Sequence, residues 1–308
     1  MGRKVAIIGC GFVGSTAAYA MLIKEIANEI VLIDVNREKA EGEALDLEHG
    51  IQFVKSGKII YGNSFDLCAG ADVVVITAGL AQKPGETRLD LVSKNAKLFK
   101  DMIPKIVEHN KDCVIVVVSN PVDILTYLTI KYSGLPRQRV FGTGTTLDTA
   151  RLRFYVGEHF GVNPHNVHAY MLGEHGDSEF PVWSNADIAG MNLVHVDGYS
   201  KDAMDSIFRK TKNAAYEIIS KKGATYYAIG LVITEIVEAV LDDGEKIFPV
   251  STLIDNYYDE GDLCISVPCV VGKGGVKRKI QIPLNGEEQK AFHNSAGILK
   301  DYLKKTQI

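Results

Sequence analysis

The 308-residue chain has no surplus of positive charge, no closely paired cysteines and no repeat or low-complexity stretch. Lys plus Arg number 34 against 38 for Asp plus Glu, a formal net charge of −4. Proteins that hold nucleic acid or acidic membranes by general attraction lean basic, so neither partner is expected and any anion must be met by a few placed cations. The five cysteines, Cys10, Cys68, Cys113, Cys264 and Cys269, include no C-x-x-C pair. That removes zinc-ribbon and thioredoxin-like readings and makes a reducing cytoplasm the expected location. Residues 5–23 form an uncharged run behind Arg3-Lys4, the outline of a signal peptide or membrane span, but three glycines in six positions break it. Gly2 is no myristoylation signal, because Ala6 stands where Ser or Thr is needed.

What remains is an ordinary globular composition, 46% hydrophobic and 23% charged. This excludes disorder, coiled coil and collagen. At about 150 residues per domain the length suggests two domains. The first half alternates elements. Short runs at 4–8 and 30–34, the second ending on Asp34, read as strands, and those at 73–77 and 114–118 are apolar throughout, the mark of parallel strands covered on both faces. Residues 93–109 between two of them read as a helix, with Leu98, Met102, Ile106 and His109 recurring three or four apart. Strand, helix and strand at this spacing build right-handed βαβ units and a doubly wound parallel sheet. Beyond Gly142-Thr143-Gly144 the rhythm changes. Helices are expected at 204–222, 224–241 and 287–305, and a hairpin at 264–271 and 279–283 joined through Gly272 to Gly275. The expected division is a domain of 1–142 and an α+β domain of 143–308.

Gly9-Cys10-Gly11-Phe12-Val13-Gly14 sits between the first strand and its helix. In that context Gly9 allows a tight turn, Gly11 lets the backbone approach a pyrophosphate, and Gly14 lets helix and strand pack closely. The phosphates would lie on the helix N-terminus, whose free N–H groups favour negative charge. Asp34 follows 20 residues after Gly14 at the end of the second strand. A carboxylate there accepts hydrogen bonds from ribose hydroxyls and repels a 2′-phosphate, so the first half reads as a Rossmann domain for NAD rather than NADP.

Ligands of such sheets bind beyond the carboxyl ends of the strands. Residues 78–88 mix glycine, proline and charge, which suits a mobile lid carrying Arg88; 119–123 and 173–177 are the other loops of interest. Asp148 and Arg151 are three apart on one helical face, whereas Arg153 must point away. Four of the eight histidines, His159, His165, His168 and His175, fall within 17 positions, yet no H-E-x-x-H or cysteine-containing set accompanies them, and no metal is expected. His175, flanked by glycine in a polar loop, is a candidate general acid and base.

Taken in order, Gly-Cys-Gly-Phe-Val-Gly, Gln-Lys-Pro-Gly-Glu-Thr-Arg, Val-Ser-Asn-Pro-Val-Asp, Leu-Asp-Thr-Ala-Arg, Gly-Glu-His-Gly-Asp and Gly-Ala-Thr-Tyr-Tyr resemble the lactate and malate dehydrogenase family from residue 4 to residue 303. The resemblance implies a 2-oxo acid reduced by NADH, with His175 as proton donor and Asp148 holding its other ring nitrogen. It further implies that Arg151 clamps the substrate carboxylate, Arg88 polarises the carbonyl, and Asn120 assists at nicotinamide and substrate. Gly9, Gly11, Val13, Gly14, Asp34, Gly79 and Asn120 would hold the cofactor. The lid position usually filled by Arg in the malate branch is Gln82, which would leave a second carboxylate unpaired; Thr225 and Glu86 agree with it. Pyruvate and L-lactate are therefore the expected pair, with malate or another 2-hydroxy acid, or a non-catalytic NAD sensor, as alternatives.

Arg153 and His168 match the pair that binds fructose 1,6-bisphosphate between subunits of allosteric bacterial members. A cytoplasmic homotetramer is implied, with a dimer as the alternative. Because the chain starts almost at its first strand, a tetramer would hold without an N-terminal arm. Phe65 replaces a tyrosine often found near the adenine, and 189–201 is shorter than in many relatives.

Overall fold

The computed structural model describes residues 3–55, 57–80 and 88–305. Its first half runs β1 (Lys4–Ile8), α1 (Phe12–Lys24), β2 (Glu29–Ile33), α2 (Arg37–His49), β3 (Lys58–Gly62), β4 (Val73–Ile76), α3 (Arg88–His109), β5 (Val114–Val117), α4 (Val122–Ser133) and β6 (Val140–Gly142). β4 and β5 are buried at every residue and β1 at all but its first, because helices cover both faces and only aliphatic side chains fit there. Each fully buried Val or Ile contributes about 1.5–3 kcal/mol. The middle of the sheet is thus a firm platform for whatever its strand ends carry.

The second half contains α5 (Thr146–Phe160), five two-residue strands, β7 (Val167–His168), β8 (Met171–Leu172), β9 (Phe180–Pro181), β10 (Asp187–Ile188) and β11 (Met191–Asn192), then α6 (Lys201–Lys222), α7 (Tyr227–Leu241), β12 (Lys246–Ile254), β13 (Leu263–Gly272), β14 (Gly275–Lys279) and α8 (Gly286–Lys305). The main sheet has nine strands in the order β3-β2-β1-β4-β5-β6-β12-β13-β14. β1 to β6 pair in parallel, and β12 to β14 add antiparallel to the β6 edge, where Ser251 faces Gly142. Strand order reverses between β1 and β4, the point at which a crevice opens beyond the strand ends. A smaller core of Leu152, Val156, Val167, Met171, Met204 and Ile207 joins α5, α6 and the short strands.

Two expectations need correction. The second strand of the hairpin is Gly275–Lys279 rather than 279–283. Gly272 pairs directly with Gly275, leaving only Lys273 and Gly274 as the turn, and Gly274 and Gly275 take positive φ of 83° and 100°. In α3 the buried residues include Val92, Ala96, Phe99, Met102, Ile103 and Ile106, so of the expected stripe Met102 and Ile106 are buried, Leu98 is half-buried and His109 faces solvent. α6 buries Met204, Ile207, Thr211 and Ala214, but turns Ile219 outward. The antiparallel strands β12 to β14 extend the parallel sheet, while β7 to β11 form two small sheets apart from it.

Candidate active site

The glycine turn is held from both sides. Gly9 takes φ +102°, and a Cβ there would come within 2.6 Å of the Ala78 nitrogen. A Cβ on Gly14 would come within 1.9 Å of the Gly9 carbonyl oxygen, whereas one on Gly11 meets nothing within 4 Å. Gly14 is therefore a packing glycine, and Gly11 leaves open a space facing the crevice. The Cys10 N–H donates to Asp34 Oδ2 at 2.8 Å, the Asn36 N–H to Oδ1 at 2.9 Å, and Thr77 Oγ1 to the Gly9 carbonyl at 2.7 Å. Each Asp34 oxygen keeps a lone pair for a further donor.

Two cavities meet along Thr77, Gly79 and Leu80. One, of about 500 Å³, runs from Gly9, Gly11 and Asp34 past Phe65 to Leu98 and Met102. The other, of about 800 Å³, runs past Val13 and Asn120 to His175 and Tyr216. Leu98 and Met102 thus both line the groove, Met102 as part of the buried core. The open space at Gly11, the rigid turn and the Asp34 carboxylate at one end fit a dinucleotide laid across the switch point.

At the far end, the first turn of α5 carries Asp148, almost fully buried. Its Oδ2 meets His175 Nδ1 at 2.8 Å, and its Oδ1 accepts from Arg151 Nη1 at 2.9 Å. Burial alone would raise the Asp148 pKa, but His175 and Arg151 outweigh it and hold the carboxyl below its usual range. For His175, burial opposes the charge, and the Asp148 carboxylate overrides it, lifting the imidazole to about 9. The helix is registered against the histidine loop by Thr149 Oγ1, which accepts from Met171 N at 2.9 Å, and Thr145 Oγ1, which donates to Met171 O at 2.6 Å.

Further residues complete the frame. Asp123 on α4 accepts the His175 N–H at 2.8 Å and the Ser251 hydroxyl at 2.6 Å. Burial lifts its pKa to about 6 despite these bonds. Buried Asn95 accepts from Leu80 N at 2.8 Å and donates to Asn120 O at 2.9 Å, clasping two of the loops that bound the groove. Glu179 is buried with an oxygen lacking a partner among the described residues. Asp123 closes the Val-Ser-Asn-Pro-Val-Asp motif, and Asn95 falls in step with the buried stripe of α3.

Not every expected residue joins the cluster. Gln82 and Glu86 lie outside the described residues, as does the side chain of Arg88, the first residue of α3. Thr225 lies in the turn between α6 and α7 and is not among the lining of the His175 cavity. Arg153 does point away from Arg151, donating from Nε to the Ala169 carbonyl at 3.0 Å with its guanidinium over the Tyr170 ring. Arg153 lines a separate cavity of about 490 Å³, whereas exposed His168 faces Asp187 at 3.2 Å.

A dinucleotide groove ending at an imidazole whose proton is held by a carboxylate serves hydride exchange coupled to proton transfer, and it places this chain among the NAD-dependent oxidoreductases. Residues 3–142 match the family model described as the lactate/malate dehydrogenase NAD-binding domain, and 145–307 match its α/β C-terminal domain. The chain belongs to the lactate/malate dehydrogenase family, and NAD is its cofactor. An L-lactate dehydrogenase of Clostridium botulinum is 48% identical, with 97% of this chain and 96% of that protein covered. One from Acetivibrio thermocellus is 47% identical over 99% and 98%. Among solved structures, a lactate dehydrogenase from a Medee basin deep-sea metagenome library superposes with a TM-score of 0.97 at 42% identity over both whole chains. The minor L-lactate dehydrogenase of Enterococcus mundtii gives 0.95 at 45% over 98% of each. No described helix is long and apolar enough to cross a membrane.

Proposed function

We propose that the chain is an L-lactate dehydrogenase, reducing pyruvate to L-lactate reversibly. The observation that carries the reading is the Asp148–His175–Arg151 cluster at the end of the dinucleotide groove. NADH, when bound, supplies the hydride to the substrate's C2. Gly9, Gly11, Val13, Gly14, Asp34, Gly79 and Asn120 hold and orient it. His175 Nδ1 is committed to Asp148, so its Nε2 is the nitrogen that gives the proton to the C2 oxygen. Asp148 fixes that tautomer and balances the imidazolium. Arg151 forks onto the substrate carboxylate, and Asn120 and Arg88 donate to the oxygen as it gains charge. Gln82 offers no charge to a second carboxylate, which favours pyruvate over oxaloacetate, and the names of the relatives agree.

The same reading divides the chain into 1–142 for cofactor and 143–308 for substrate, supported by family matches ending at 142 and starting at 145. It includes a cytoplasmic homotetramer and activation by fructose 1,6-bisphosphate on Arg153 and His168; the orientation of Arg153 away from the cluster supports a site separate from the substrate's. The test is NADH oxidation with pyruvate or oxaloacetate, with and without the bisphosphate. Pyruvate is expected to be the better substrate, with a lower KM when the bisphosphate is added. Gln82→Arg is expected to shift the kcat/KM ratio toward oxaloacetate by about 2–5 kcal/mol. An unchanged ratio rejects the specificity assignment, and identical pyruvate curves reject the effector.

A further inference from the structure

Glu179 immediately precedes β9, at the end of the loop that carries His175. It is 6% exposed, and its Oε2 has no hydrogen-bond partner among the described residues. One oxygen or nitrogen each of Asp148, His175 and Glu179 lie within 4.8 Å of one another. Both Asp148 oxygens are already engaged, one by Arg151 and one by His175, with the guanidinium 2.9 Å away. A cation drawn to this trio would be opposed by that guanidinium, so the cluster is better suited to sharing protons than to binding metal. The proposed reaction gives the third carboxyl no part.

We propose that Glu179 remains a neutral carboxylic acid and points its O–H at Asp148, so that the buried end of the site carries one negative charge rather than two. The groups facing it are Asp148 and Arg151 from α5 and His175 from its own loop, with Asp123 of α4 behind the histidine. Two carboxylates this close in a site screened from water cannot both ionise cheaply. Burial and the Asp148 charge outweigh the opposing pull of His175 and Arg151, and the Glu179 carboxyl is pushed well above its usual range. Each Asp148 oxygen has a second lone pair, so a third donor can be accepted without displacing Arg151 or His175.

The arrangement matters for an anionic substrate. The Asp148 carboxylate and the His175 imidazolium cancel, which leaves the Arg151 charge for an incoming carboxylate. An ionised Glu179 would offset that charge and repel the substrate. Glu179 is thus a positioning residue that acts through Asp148, and this kinetic consequence rests on the pyruvate reading above.

Infrared difference spectra between the wild type and Glu179→Gln test the protonation state without turnover. At about pH 8 Asp123 is ionised, and the wild type should show a protonated-carboxyl stretch that the variant lacks. Absence of that band overturns the proposal. Glu179→Gln keeps a neutral donor, so kcat/KM for pyruvate should stay within about threefold and its alkaline inflection within about 0.3 pH unit. Glu179→Met has similar volume and no donor, and should lose about tenfold in kcat/KM with NADH affinity unchanged. A fall of about one unit or more in the Glu179→Gln inflection would mean that an ionised Glu179 had been holding the His175 proton, and would also overturn the proposal. If the Met variant does not fold, the Gln variant and the spectra still decide. A wild type that turns over no pyruvate would reject the functional reading and leave the infrared result to judge the carboxyl.

Discussion

The two ends of the groove are built on different principles. At the cofactor end, shape is set by backbone: three glycines, one carboxylate receiving two N–H groups, and a helix start that offers its own free donors. At the substrate end, charge is set by side chains that control one another's protonation, with Asp148 held ionised and His175 held protonated. The cofactor end can be damaged only by changing its form. The substrate end can be silenced with its form intact, by changing one atom that carries or accepts a proton.

The largest expected effect lies at the substrate end. His175→Asn and Asp148→Asn should each reduce kcat/KM for pyruvate by about 10²–10⁴-fold while NADH binding, followed by fluorescence titration, is unchanged. Loss of NADH binding in either would erase the contrast between the two ends. At the cofactor end, Gly14→Ala must displace the Gly9 carbonyl and should cost about 1–3 kcal/mol of stability in denaturant melts. Gly11→Ala, with open space around its Cβ, should leave the melt within about 0.5 kcal/mol and weaken NADH instead. Equal melts for the two would show that Gly14 is not a packing glycine.

The mildest effect is a pH response. The folded pKa of His175 is raised to about 9, and the protonated form gives up the proton in pyruvate reduction. The kcat/KM for reduction should therefore hold up to about pH 9 and fall about tenfold per unit above it. Lactate oxidation, which needs the neutral imidazole, should rise through the same range. The His175–Asp148 contribution to stability is complete below the unfolded value near 6.5 and is lost as pH rises through about 9. An inflection near 6.5 in the native enzyme would break the coupling on which the comparison depends.

Much of the cofactor end was legible in the chain because its signals are local. Gly9 to Gly14 and Asp34 are separated by few residues, and the apolar runs of β1, β4 and β5 announce strands buried on both faces. The face shared by Asp148 and Arg151 follows from helical periodicity alone. What escaped depends on contacts distant in sequence. Asp123 reaches the His175 N–H across 52 positions and Ser251 across 128. Neither spacing leaves a pattern. β12 was missed because KIFPVSTLI alternates poorly and carries a proline, and it is a strand only because β6 and β13 flank it. His109 fell in step with an apolar rhythm that the helix does not bury.

The junction of β12 with β6 has one more consequence. Ser251 pairs with Gly142 in the sheet and also gives its hydroxyl to Asp123, which holds the histidine loop. Hydrogen bonding therefore runs unbroken from β3, at the adenosine edge, to β14, across the boundary between the two family matches. Two units of sequence share a single sheet. Opening the groove by swinging one half from the other would break that ladder, so traffic in and out must depend on segments lying outside the sheet.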